Sequence, residues 1–212
     1  MQAEYSERER LVDAVIHWLG IAGAPVAGAI LIAGTIETDK AAAIVAAGVY
    51  GLGLTAVIWL SAAYNLAREP ERKERLRPYD HAAIFFLIAA TFTPFALAGG
   101  YQRLDAGLLA AIWLTAGAGI ALKLGWPRRF ERTAIALYVG LGWAGMLAVG
   151  SAVASLPAAA IDMLLWGGAL FTAGIAFLLW ERLPYHNAIW HLFVLAGAAC
   201  HYSAVEAALL RA

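Results

Sequence analysis

Four short patterns put chemically active side chains inside otherwise apolar sequence. Glu9, Asp13 and His17 follow one another at i, i+4 steps. Ser61 and Asn65 share that spacing, as do Asn187 and His191. Asp80 and His81 are adjacent, and His201 follows His191 by ten residues. On a helix, an i, i+4 step brings two side chains to the same face, so each pair can serve one site. Carboxylates and imidazoles move protons and ligate metals, and amides and hydroxyls donate and accept hydrogen bonds. Asp13 and His17 could equally do no more than satisfy each other.

These residues need elements that hold them, and the composition says which. The chain is 62% hydrophobic and 14% charged, with a mean hydropathy of +0.71. A soluble domain carries about 25% charged residues. A helix crosses the hydrocarbon core with ~20 apolar residues, and seven runs qualify: approximately Leu11–Ile36, Ala41–Leu66, His81–Gly99, Ala106–Leu124, Thr133–Ala154, Ala158–Trp180 and Ala188–Leu210. The runs are continuous and rich in Ala, Leu and Gly rather than alternating, which predicts helices, not strands. The expected fold is an all-α membrane protein, a single seven-transmembrane-helix domain over residues 1–212. No small-residue cleavage site closes the first apolar run, so it is expected to remain as a span. The lone cysteine, Cys200, excludes an intramolecular disulfide. The net charge of zero points to no nucleic-acid partner.

With a cytoplasmic N-terminus, twelve of the fifteen Lys and Arg residues fall on the cytoplasmic side, leaving Lys40, Arg103 and Arg211 outside. The positive-inside rule therefore predicts N-in, C-out, as in a multi-pass protein of a bacterial inner membrane, with a periplasmic C-terminus. Gly-rich faces in the first, second, fifth and sixth spans predict close helix packing. Pro25 and Pro94 fall within spans, and Trp126, Trp180 and Trp190 sit near span ends, as interfacial anchors would.

In this orientation every polar pattern except His201 falls in the cytoplasmic half. His201 lies about 15 Å deeper than His191. Ionisable groups in a membrane are costly and face a cavity or a partner, so the expectation is a polar pocket opening toward the cytoplasm, with Glu9, Asp13, His17, His81 and His201 around Ser61, Asp80 and His191. Asp80 and His191 are expected to interact directly or through one water, with Ser61 and Asn65 bordering the same cavity. The bland readings are that Glu9, Asp13 and Asp80 are helix-start acids favoured by the macrodipole, that Ser61 bonds back to its own helix, and that His186 belongs to a loop.

At these residues the chain resembles the hemolysin III family, the bacterial branch of the progestin and adipoQ receptor superfamily. Glu9, Asp13 and His17 match E-x3-[ND]-x3-H, and Ser61 to Asn65 occupy S-x3-H. Asp80-His81-Ala82-Ala83-Ile84 and Thr91-Phe92-Thr93-Pro94-Phe95 match DHxAI and TxTPF. Asn187, His191 and His201 occupy H-x3-H-x9-H. The resemblance covers nearly the whole chain and implies seven helices. It also implies a zinc ion held by the second-helix histidine and the first two seventh-helix histidines, with the third-helix aspartate holding a water. Asn65 and Asn187 stand at two of those ligand positions, leaving His191 and Asp80 of the expected set, so zinc is expected to bind weakly.

The related alkaline ceramidases add a hydrolase of lipid amides or esters to the readings. In it Asp80 is the base or water holder, His191 a ligand or general base, and Ser61 an oxyanion donor. The leading expectation is a membrane sensor or regulator whose pocket takes a membrane lipid or fatty acid. A pore-forming cytolysin and an ion carrier remain as further alternatives.

Overall fold

The computed structural model describes residues 5–97, 106–148 and 158–210. Among them lie seven helices and no strand: α1 (Glu7–Ile36), α2 (Ala41–Asn65), α3 (Pro70–Leu97), α4 (Ala106–Gly125), α5 (Glu131–Ala148), α6 (Ala158–Leu179) and α7 (His186–Leu210). Six are long and apolar enough to cross a membrane; α5 is the exception. The span expected over 133–154 runs on from α5 into residues outside those described.

Helix ends follow local chemistry. Ser6 caps α1: its hydroxyl accepts from the Glu9 amide, and Glu9 reaches back to the Ser6 amide at 2.8 Å. This is a capping box, which satisfies two amides that the first turn would leave bare. α3 starts eleven residues before the apolar run at His81. Pro70 opens it, where a missing N–H costs nothing. Its charged first turns carry ion pairs, within the helix from Glu71 to Arg75 and outward from Glu74 to Arg128 and from Arg77 to Glu131. The sequence expectation marked only the part of α3 that lipid would cover. α7 starts at His186, which is buried and not a loop residue.

Each helix packs on its chain neighbours, α1 closes the ring on α7, and α3 reaches across to α5 and α7. Accordingly α3 is the most buried span. Two backbones approach closely at Gly28 and Gly51, where a Cβ added to Gly28 would lie 3.3 Å from Gly51 Cα. No side chain fits there, and the two helices gain dispersion contact instead. The expectation for small residues holds in part. Gly20, Gly53, Gly145, Gly167 and Gly174 meet side chains of other helices, whereas Gly23, Gly48, Gly140 and Gly142 face open space. Leu11, Trp18, Leu19, Val26, Ile30, Leu114 and Trp166 are exposed on the outside. An apolar exterior around buried Asp13, Asp80, His17 and His191 is the arrangement lipid demands. Trp126 and Trp180 are exposed, as anchors would be. Trp190 instead turns inward, lining the cavity and packing on Gly174.

Candidate functional site

Arg10 of α1, Asn65 of α2, Arg77 of α3, Lys123 of α4, Glu131 of α5, Leu179 of α6 and His186 of α7 all border one cavity of about 590 Å³. Successive helices therefore run in opposite directions, and the same end of each contributes to the site. The volume is in the range of small-molecule sites. Its far wall is apolar, with Ile88, Phe92, Met146, Phe171, Ile175 and Leu195. Much of that wall lies between α5 and α6, which touch little along their described lengths. Trp143 Nε1 bridges them by donating to Thr172 Oγ1 at 3.1 Å.

The polar end is built around His191. Its Nδ1 lies 2.6 Å from Asp13 Oδ1, and its Nε2 lies 3.3 Å from Asn65 Nδ2. An amide nitrogen only donates, so Nε2 accepts and Nδ1 carries the proton, which it gives to the carboxylate. Asn187 Nδ2 lies 3.4 Å from both Asp13 Oδ2 and Asn65 Oδ1. Asp13, His191, Asn65 and Asn187 thus close a ring of hydrogen bonds across α1, α2 and α7. Asn65 also donates to the Ser61 carbonyl at 3.0 Å and approaches the Ser61 hydroxyl at 3.3 Å, which fixes its amide.

His17 stands beside the ring, its imidazole centroid 4.3 Å from that of His191. Its Nε2 is 3.5 Å from Asp13 Oδ2, yet it is buried with no hydrogen-bond partner among the described residues. Asp13, His17 and His191 each offer a ligand atom, all within 4.8 Å of one another. This buried cluster could hold a metal ion. The orphaned His17 nitrogen and the two-imidazole, one-carboxylate donor set both suit that use. The ligand positions implied by the resemblance do not: Asn65 and Asn187 spend their amides on the ring.

The other expected residues are distributed as follows. Asp80 is buried and borders the cavity with Ser61, Asn65 and His191. It does not pair directly with His191, whose two nitrogens are taken by Asp13 and Asn65. Its carboxylate lies 3.9 Å from His81 Nε2. Asp80 is also absent from the metal-competent cluster. That cluster forms on α1 instead, because α1 and α7 pack side by side and carry Asp13 and His17 to His191. His81 lines the cavity, and its carbonyl accepts from Tyr138 at 2.9 Å. His201 lies at the deep end, Nε2 3.3 Å from the Leu164 carbonyl and its ring against Phe171. Glu9 is outside the pocket. It is partly exposed, and its Oε1 accepts from the Tyr185 amide at 2.8 Å, tying α1 to the turn before α7. His186 helps that latch through Tyr5, at 3.2 Å. Lys73, Arg77, Lys123 and Tyr138, also on the cavity wall, were not singled out from the sequence. Lys123 lies inside α4 at its end, a position that reads as an interfacial anchor.

Seven helices with an apolar exterior around a cavity that is polar at one end define a multi-pass membrane protein with an internal cavity. The chain belongs to the family described as Haemolysin-III related, whose model matches residues 5–202. It is 35% identical over 198 residues to Hemolysin-3 of Bacillus cereus, covering 93% of this chain and 90% of that protein. It is 32% identical over 201 residues to a Hemolysin-3 homolog of Bacillus subtilis (strain 168), covering 95% and 94%. The human Monocyte to macrophage differentiation factor is 27% identical over 175 residues, covering 79% and 71%.

Proposed function

We propose that the protein is a sensor or regulator of the bacterial inner membrane that takes an acyl chain of a membrane lipid or fatty acid into its cavity. The observation that carries this reading is the cavity itself, polar at one end and apolar along its length. The ring of Asp13, His191, Asn65 and Asn187 is internally satisfied, so it suits a fixed binding wall better than a free nucleophile. An occupant between α5 and α6 would alter how these helices meet, which gives binding a means of changing the bundle. Gly142 lines the cavity and a Cβ added there meets nothing within 4 Å, so Gly142→Trp carries a bulky ring into the site. Native mass spectrometry of the purified protein with oleate should show one bound chain in the wild type and none in Gly142→Trp. A wild type that retains no acyl chain would overturn the proposal.

A second reading, a membrane-embedded lipid amide or ester hydrolase, rests on the cluster of Asp13, His17 and His191 and the unpartnered His17 nitrogen. A zinc ion held there would supply a Lewis acid for an acyl carbonyl. The protein's own groups would then orient the substrate, with Asp80 and Ser61 on the same cavity wall to take or hold a proton. Under this reading, fatty-acid release from an N-acyl lipid falls on chelation and in His17→Ala. Release unaffected by both would exclude it.

A further inference from the structure

On α3 and α4 the same cavity is bordered by a second polar group that neither reading uses. Lys123 is only 1% exposed, and its Nζ has no hydrogen-bond partner among the described residues. The same holds for Arg77 Nε, although the other end of that guanidinium is paired with Glu131. Both side chains border the cavity, as does Lys73, whose ammonium lies 5.1 Å from the centre of the Tyr64 ring. Glu131 and Arg77 are the charged neighbours of Lys123; His17, Lys73 and Arg77 are those of Asp80; and Arg10, Asp13, Asp80 and Arg77 are those of Lys73. Glu131 offsets Arg77, and Asp13 and Asp80 offset Lys73 and Arg10, which leaves Lys123 without an acid of its own and the wall cationic. A buried ammonium with no acceptor is costly, and such a group persists where something else supplies the acceptor.

We propose that Lys123, Arg77 and Lys73 form a subsite for the phosphate head group of an anionic lipid whose acyl chain occupies the apolar part of the cavity. The proposal rests on the acyl-chain reading above and adds the head group to it. Phosphate suits the wall because its several oxygens can accept from Lys123 Nζ, from Arg77 Nε–H and from Lys73 together, in charge-assisted bonds. The geometry separates this subsite from the metal-competent cluster, which is formed by α1 and α7, whereas the cationic wall comes from α3 and α4.

The test compares ligands that share one oleoyl chain, titrated into the full-length protein in detergent and read by native mass spectrometry. The probes are lysophosphatidate, which has a phosphate monoester, monooleoylglycerol, which has none, and oleate. Inorganic phosphate serves as competitor. The wild type should prefer lysophosphatidate over monooleoylglycerol by about tenfold or more. Lys123→Met should abolish that preference, and Lys123→Arg should keep it. The comparison within the wild type stands even if Lys123→Met fails to fold. Equal binding of the two lysolipids would overturn the head-group subsite and leave the acyl-chain reading intact. Failure of every chain-bearing probe would overturn both. Oleate that matches lysophosphatidate with the same dependence on Lys123 would overturn phosphate in favour of carboxylate. Inorganic phosphate that displaces lysophosphatidate at equal concentration would overturn the lipid as the source of the anion.

Discussion

The two asparagines decide what kind of site surrounds His191. An imidazole at position 65 or 187 could ligate a metal; an amide there instead donates to His191 Nε2 and to Asp13. The polar atoms of Asn65, Asn187 and His191 already converge within 3.3 and 3.4 Å of one another along the ring. Zinc titration should therefore find weak or substoichiometric binding in the wild type and tight binding in the double variant Asn65→His with Asn187→His. Each single change should do less, because the second-helix and the two seventh-helix positions are all imidazoles only when both are made. Stoichiometric tight zinc in the wild type, lost in His17→Ala, would instead assign the ion to Asp13, His17 and His191. The spacing of these residues was legible in the sequence, since i, i+4 fixes a shared face. Which carboxylate would meet His191 was not. Asp13 and Asp80 sit at similar depth on different helices, and the choice depends on how α1 and α7 rotate against each other. That rotation is set by packing distant in sequence.

At the scale of elements, the apolar runs revealed where helices cross lipid but not where they stop. The charged turns of α3 start at Pro70 and are tied to α5 by the partly buried pair of Arg77 with Glu131, a local chemistry that hydropathy does not register. Small residues showed the same split, since composition names the glycines while only packing shows which are needed. Gly167 is one of these. A Cβ there would strike the His201 ring and come within 3.0 Å of the Gly197 carbonyl. Gly167→Ala should destabilise the detergent-solubilised protein by about 1–3 kcal/mol, the usual cost of overpacking. Gly48 faces open space, so Gly48→Ala should be neutral or stabilising by up to ~1 kcal/mol, the difference in helix propensity. Chemical denaturation followed by circular dichroism measures both. Equal effects at the two positions would mean that α6 and α7 do not depend on close approach at Gly167.

For the whole molecule, the end of the bundle that holds the ring and the cationic wall is also the end where the basic residues gather. Arg8, Arg10, Arg68, Arg72, Lys73, Arg75, Arg77, Lys123, Arg128, Arg129, Arg132 and Arg182 belong to it. Only part of this charge can be explained by the site. Arg75 and Arg128 are largely exposed, and their Glu71 and Glu74 partners contribute little at a surface. The bias is what membrane insertion reads, and it favours retention of that end in the cytoplasm. A reporter fused after Arg72 or Arg129 should therefore be cytoplasmic, and one fused after Arg211 periplasmic. Arg128→Gln with Arg129→Gln should leave the pattern unchanged, because most of the bias remains. The result has a chemical consequence. The cavity's polar end would then face the cytoplasmic leaflet, and its occupant would be a lipid or fatty acid drawn from that leaflet. A periplasmic reading after Arg72 and Arg129 would place the same ring and the same lysines in the outer half of the membrane, and the occupant would have to come from there.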